Sequence, residues 1–184
     1  SCTKTCGAAE LCYLAAQPPE SPAIRKPPLQ NATPRWSPDG TTVAVIPGLM
    51  MDEGATGGDV WAVPAACCKA ENRTAGMKAS ASALFWRAPD ELLFTEYLDG
   101  EEGVGSIDAA GSVKTLWRGP KMLKGFSVAK QGPVSAAVRS SFREAPEGVA
   151  GALGAWSPGT RDNAGMHPSR GGATGWGNRP RAGN

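Results

Sequence analysis

Pro34-Arg35-Trp36-Ser37-Pro38-Asp39-Gly40-Thr41-Thr42-Val43-Ala44-Val45-Ile46 is the stretch on which the reading of this chain turns. Trp36 closes one strand. Ser37-Pro38-Asp39-Gly40 supplies a proline of fixed φ, an Asx turn former and a glycine that tolerates positive φ, and Val43-Ala44-Val45-Ile46 resumes extended structure. The predicted element is a tight β-hairpin.

The same order of residue types returns twice. Phe85-Trp86-Arg87-Ala88-Pro89-Asp90-Glu91-Leu92-Leu93-Phe94-Thr95 repeats aromatic, proline, aspartate and apolar strand without the glycine. In Phe126-Ser127-Val128-Ala129-Lys130-Gln131-Gly132-Pro133-Val134-Ser135-Ala136-Ala137-Val138, Gly132 takes the place of Gly40. Trp36 to Trp86 is 50 residues, and Gly40 to Gly132 is 92, or 46 per period. A period of about 40 to 50 residues built from short strands marks propeller blades, each a four-stranded sheet. The segments after each hairpin offer the remaining strands: Asp59-Val60-Trp61-Ala62-Val63 and Val113-Lys114-Thr115-Leu116-Trp117 alternate at period two, and Gly148-Val149-Ala150-Gly151-Ala152-Leu153 is a weaker, glycine-rich strand.

The expected fold is therefore all-β. It is a partial β-propeller of about three four-stranded blades, near 32–78, 79–120 and 121–157, with strands at Thr42 to Ile46, Val60 to Val63, Leu92 to Thr95, Val113 to Trp117 and Val134 to Val138 and little helix. Residues 1–31 read as a partial blade or an irregular proline-rich lead. Residues 158–184 read as a disordered Gly/Arg-rich tail. Trp36, Trp86 and the Phe126 or Val128 position are expected in equivalent places between adjacent sheets.

W-S-P-D-G with V-A-V, then D-V-W-A-V, then V-R-S-S-F-R-E-A-P-E resembles the propeller domain of the prolyl oligopeptidase family of serine peptidases, in its acylaminoacyl-peptidase and dipeptidyl-peptidase branches. The resemblance runs over about residues 32–167 and rests on the order of its motifs. Ser140-Ser141 with Glu144-Ala145-Pro146-Glu147 looks like the last blade of such peptidases. Asn163-Ala164 and Met166-His167-Pro168 look like the exit from it, at the junction to a hydrolase domain that is missing here. The S-P-D-G turn suits the propeller of the periplasmic Tol system equally well. The resemblance implies a module that gates and orients peptide substrates, with peptide or a hydrolase domain as partner; the alternative is a non-enzymatic Tol-type or WD-like propeller that binds another protein. Three blades do not close a ring, so the chain reads as part of a longer peptidase, as a unit that self-associates through open blade edges, or as a degraded product.

Of 184 residues 41% are hydrophobic, enough for a core, and the formal net charge of +2 argues against a dedicated nucleic-acid surface. Glycine (24) and proline (16) make up about a fifth of the chain, which suits short strands and turns. No run of about 18 apolar residues is present to span a membrane. Five cysteines cannot all pair within one chain, and Cys67 and Cys68 are adjacent. Cys2, Cys6 and Cys12 lack a zinc spacing, so reduced thiols and no metal or other cofactor are expected. The compartment stays open between cytoplasm and periplasm or exterior.

The catalytic reading is negative. No G-x-S-x-G elbow occurs, and His167 is the single histidine. The family's triad lies in its hydrolase domain, so no catalytic residue is carried over, and the chain alone is expected to hydrolyse nothing. Glu96, Asp99, Glu101 and Glu102 crowd one hairpin. Glu101 and Glu102 resemble the glutamate pair with which some dipeptidyl peptidases grip a substrate's free amine and are the candidate substrate-binding residues; a solvated charge cluster in the turn Asp99-Gly100-Glu101-Glu102-Gly103 is the plainer reading. Arg139 and Arg143 flank Phe142 on a surface-like strand and loop.

Overall fold

A computed structural model of the chain describes residues 11–12, 23–25, 30–50, 56–65, 69–163 and 165–166. Among the described residues there are fifteen strands and no helix. β1 (Leu11–Cys12) and β2 (Ala23–Arg25) pair antiparallel as a small separate sheet. β3 (Gln30–Trp36), β4 (Thr42–Met50), β6 (Trp61–Pro64) and β7 (Glu71–Asn72) form a first four-stranded antiparallel meander. β8 (Ser80–Ala88), β9 (Glu91–Leu98), β10 (Glu101–Ile107) and β11 (Val113–Gly119) form a second, and β12 (Met122–Val128), β13 (Val134–Ser141), β14 (Glu144–Ala152) and β15 (Ala155–Pro158) a third. The short β5 (Thr56–Gly58) pairs with the end of β4 and, through Gly58 and Ala81, with β8, so it joins the first two meanders into one ladder.

The hairpin of the opening motif forms as its chemistry dictates. Gly40 donates its N–H to Ser37 O (2.9 Å) with φ of 70°, and Ser37 N closes the turn on Thr42 O. Asp39 accepts hydrogen bonds from Ser37 Oγ (2.5 Å) and Thr41 N (3.1 Å), which hold its carboxyl below its ordinary pKa, Ser37 contributing most. The third copy repeats the geometry: Ala129 N reaches Val134 O, again five residues on, around Gly132 at φ 81°. In the second copy Trp86 pairs with Leu92, one residue sooner than Trp36 pairs with Val43, and this shorter turn carries no glycine.

Alternation decides which side chains meet. Leu84, Trp86, Leu92, Phe94 and Ile107 of the second sheet pack on Ala44, Ile46 and Val60 of the first. The other face of the second sheet, with Val104, Phe85 and Trp117, meets Leu123, Phe126, Ala137, Val149 and Trp156 of the third. The run Leu92-Leu93-Phe94 is buried throughout because this middle sheet is covered on both sides. Each sheet thus stacks on the next, the packing of consecutive blades in a partial β-propeller.

Trp36 corrects one expectation. Its partner Val43 lies on the flank with Val45 and Val63, away from the second sheet, whereas Trp86 and Val128 each face the preceding sheet. No second sheet is packed on that flank among the described residues, and Trp36 is 46% exposed. The register position is shared; the burial is not. The tail expected to be disordered over 158–184 begins as ordered chain: Pro158 ends β15, and Gly159, Thr160 and Asn163 hydrogen-bond back to Gly148 and Glu147 of β14. Residue 164 and residues 167–184 with His167, Asp52-Glu53, the Cys67-Cys68 pair and the early cysteines Cys2 and Cys6 lie outside the described residues.

Candidate functional site

The β9–β10 and β13–β14 hairpins project at the same end of the stacked sheets. Glu102 Oε2 accepts the N–H of Leu123 (2.6 Å) at the start of β12, and β12 begins opposite Ser140, beside the β13–β14 turn. This end carries most of the charged side chains singled out in the sequence.

Glu101 and Glu102 begin β10 directly after the Asp99-Gly100 turn, whose φ values are 51° and 82°. As consecutive strand residues they point to opposite faces. Glu102 shares the face of Val104, toward the third sheet, and Glu101 the face of Ile107, toward the first. Glu96 departs from the solvated cluster in which the sequence placed it. It is 1% exposed, and its Oε1 accepts from Arg118 Nη2 (2.5 Å) and from Thr115 Oγ1 (3.2 Å). Gly103 lies opposite, where an added Cβ would stand 2.9 Å from that same oxygen. The missing side chain leaves room for the buried carboxylate.

The third blade holds an open cleft of about 500 Å³. Arg139 and Glu147 are cross-strand partners on β13 and β14, and Val149 follows Glu147 on the same face. Trp156 adds an aromatic wall, Lys121 and Arg143 flank the hairpin end, and Pro158, Thr160, Arg161, Asn163 and Met166 form the rim. That rim is tied back to β14. Gly159 N donates to Gly148 O (2.7 Å), Thr160 Oγ1 accepts from Gly148 N (3.0 Å), and Asn163 Nδ2 donates to Pro146 O (2.7 Å).

Four cationic side chains (Lys121, Arg139, Arg143, Arg161) and two carboxylates (Glu144, Glu147) line the cleft. Both carboxylates are engaged. Glu147 accepts from Thr160 Oγ1 and from Asn163 N (2.6 Å), and these bonds, Thr160 foremost, hold its pKa below the ordinary 4.5. Glu144 pairs with Lys121, which lowers its pKa in the same way, with Arg139 contributing through its charge. Arg139 Nε is buried with no hydrogen-bond partner. The cleft is lined by the guanidinium groups of Arg139, Arg143 and Arg161 beside an apolar wall and is chemically suited to a carboxylate. Sequence reading singled out Arg139 and Arg143 but not Lys121, Trp156 or Arg161; alternation about the Ser141–Glu144 turn places Glu147 with Arg139, whereas nothing local signals that Arg161 returns to the same cleft. Among the described residues no group of three His, Cys, Asp or Glu side chains could hold a metal ion.

No family model and no curated protein sequence matches the chain. Solved structures do. An oligogalacturonate lyase in complex with manganese superposes with a TM-score of 0.59 at 18% identity, covering 76% of this chain and 38% of the lyase. TolB from Acinetobacter baumannii gives 0.55 at 17% identity over 76% of this chain and 34% of its own. The β-propeller domain of the Trilobed protease from Pyrococcus furiosus, of open velcro topology, gives 0.56 at 10% identity over 82% and 41%. The chain spans well under half the length of each. At these identities the likeness is one of fold: the chain is a β-propeller module.

Proposed function

We propose that the chain is a propeller segment of a serine peptidase of the prolyl oligopeptidase type, which in the intact protein restricts access to the catalytic site and orients peptide ends. The observation that carries this reading is the third blade. Its β13–β14 hairpin bears the Arg139-to-Glu147 sequence that resembles the last propeller blade of these peptidases, and the same hairpin walls the charged cleft. Catalysis belongs to a separate hydrolase domain in this reading. The purified 184-residue chain then shows no turnover of acyl-peptide reporters and no labelling by a fluorophosphonate probe.

The decisive test is the coding sequence downstream of Asn184, read in all frames. A G-x-S-x-G elbow followed by aspartate and histidine is expected; further S-P-D-G blades with no elbow favour a non-enzymatic Tol-type module that binds another protein. That second reading draws support from the outer face of the third sheet, where Met122, Val134 and Val138 are exposed.

A further inference from the structure

We infer that the cleft of the third blade is a carboxylate-binding site, and that its ligand is the free C-terminal carboxylate of a short peptide with an apolar last residue. The peptide assignment rests on the reading above; the carboxylate assignment rests on the cleft alone.

The electrostatic argument starts from the lining charges. With Glu144 held by Lys121 and Glu147 held by Thr160 and Asn163, the acids within the cleft are committed. The guanidiniums of Arg139, Arg143 and Arg161 remain at its wall; Arg139 acts on Glu144 only through its charge. A carboxylate is the acceptor whose geometry and charge best match a guanidinium fork. A phosphate would match as well in charge, but Val149, Trp156 and Pro158 continue the same wall as an apolar surface. A ligand with a single carboxylate next to an apolar side chain uses both parts, which is the make-up of a peptide's C-terminal residue. The volume of about 500 Å³ admits one to two residues and lies within the range of small-ligand clefts.

The cleft is also preformed. Arg139 issues from the middle of a strand paired on both sides, and the rim is fastened to β14 by the Gly148, Pro146 and Glu147 bonds. Binding therefore requires little ordering of the protein.

The test is isothermal titration calorimetry on the full chain with three probes: acetyl-Ala-Leu with a free carboxylate, the same dipeptide as its C-terminal amide, and hexanoate. The free acid is expected to bind, the amide to bind about tenfold to a hundredfold more weakly, and Arg139→Gln to lose a similar factor, as a charged hydrogen bond implies. Arg161→Gln, on the exposed rim, serves as a second variant that leaves the strands untouched, and near-UV circular dichroism checks that each variant keeps its packing. Equal binding of acid and amide, or full affinity in both arginine variants, overturns the carboxylate site. Binding of hexanoate but not of the peptide acid, with dependence on Arg139, supports the carboxylate site and overturns its assignment to peptide ends. Binding of neither overturns the inference outright, while the peptidase reading still stands or falls on the downstream coding sequence.

Discussion

Replacing Glu96 with alanine should be among the most damaging single changes in the second blade. The carboxylate is 1% exposed and takes two hydrogen bonds, one of them from the Arg118 guanidinium, itself only about a quarter exposed. Removing one partner of a buried ion pair leaves an uncompensated charge, typically a loss of about 3 to 5 kcal/mol. Arg118 retains some access to water and Arg118 Nε is already without a partner, so the lower end, about 3 kcal/mol, is expected. For a chain of this length that corresponds to a fall in Tm of about 6 to 12 °C. Urea unfolding followed by tryptophan fluorescence measures it, in Glu96→Ala, Glu96→Leu, Arg118→Met and Glu96→Leu/Arg118→Met, the last three forming the cycle. The double variant should recover much of the loss, because an apolar pair of similar volume requires no buried charge to be compensated. A loss below about 1 kcal/mol in Glu96→Ala, or a double variant equal to the sum of the singles within about 0.5 kcal/mol, would refute the coupling.

Three further outcomes are expected. Phe126, 6% exposed and in edge-to-face contact with Phe85 at 5.1 Å, should cost about 3 to 5 kcal/mol on truncation to alanine, against about 1 to 2 kcal/mol for the half-exposed Trp36; equal losses in chemical denaturation would show that Trp36 is buried after all. Gly105→Ala would set a Cβ 2.3 Å from Phe94 Cζ in a closed core, and a loss of about 1 to 3 kcal/mol should appear in the same assay, with no change in stability counting against the packing. The folded-state pKa values of Glu144 and Glu147 are depressed, so their stabilisation is present above the ordinary 4.5 and is lost as pH falls through the lower folded values. The Asn163 amide resonance, bonded to Glu147, should therefore titrate with a midpoint below 4.5; a midpoint at or above that value contradicts the bond.

The repeat, the strands and the turn chemistry were legible in the residues because they are local. Ser37-Pro38-Asp39-Gly40 must turn, period-two segments must present one apolar face, and a spacing near 46 residues must build one sheet per period. Gly40 and Gly132 announce the same hairpin from the sequence alone, and both adopt positive φ. Which copy finds a neighbouring sheet was not legible. Trp36 and Trp86 stand in like places in their own hairpins, yet burial depends on a neighbouring sheet that only the stacking supplies. The same limit hid Glu96 among exposed acids, because its partner Arg118 lies 22 residues on and reaches it through the pairing of β9, β10 and β11. Glu101 and Glu102 are neighbours in sequence and face opposite sides in the sheet, a consequence of the pleat. The cleft belongs wholly to tertiary structure: Lys121, Arg139, Trp156 and Arg161 span four separate segments, and only the meander of the third sheet and the return of its closing strand's tail onto β14 set their charges around one space.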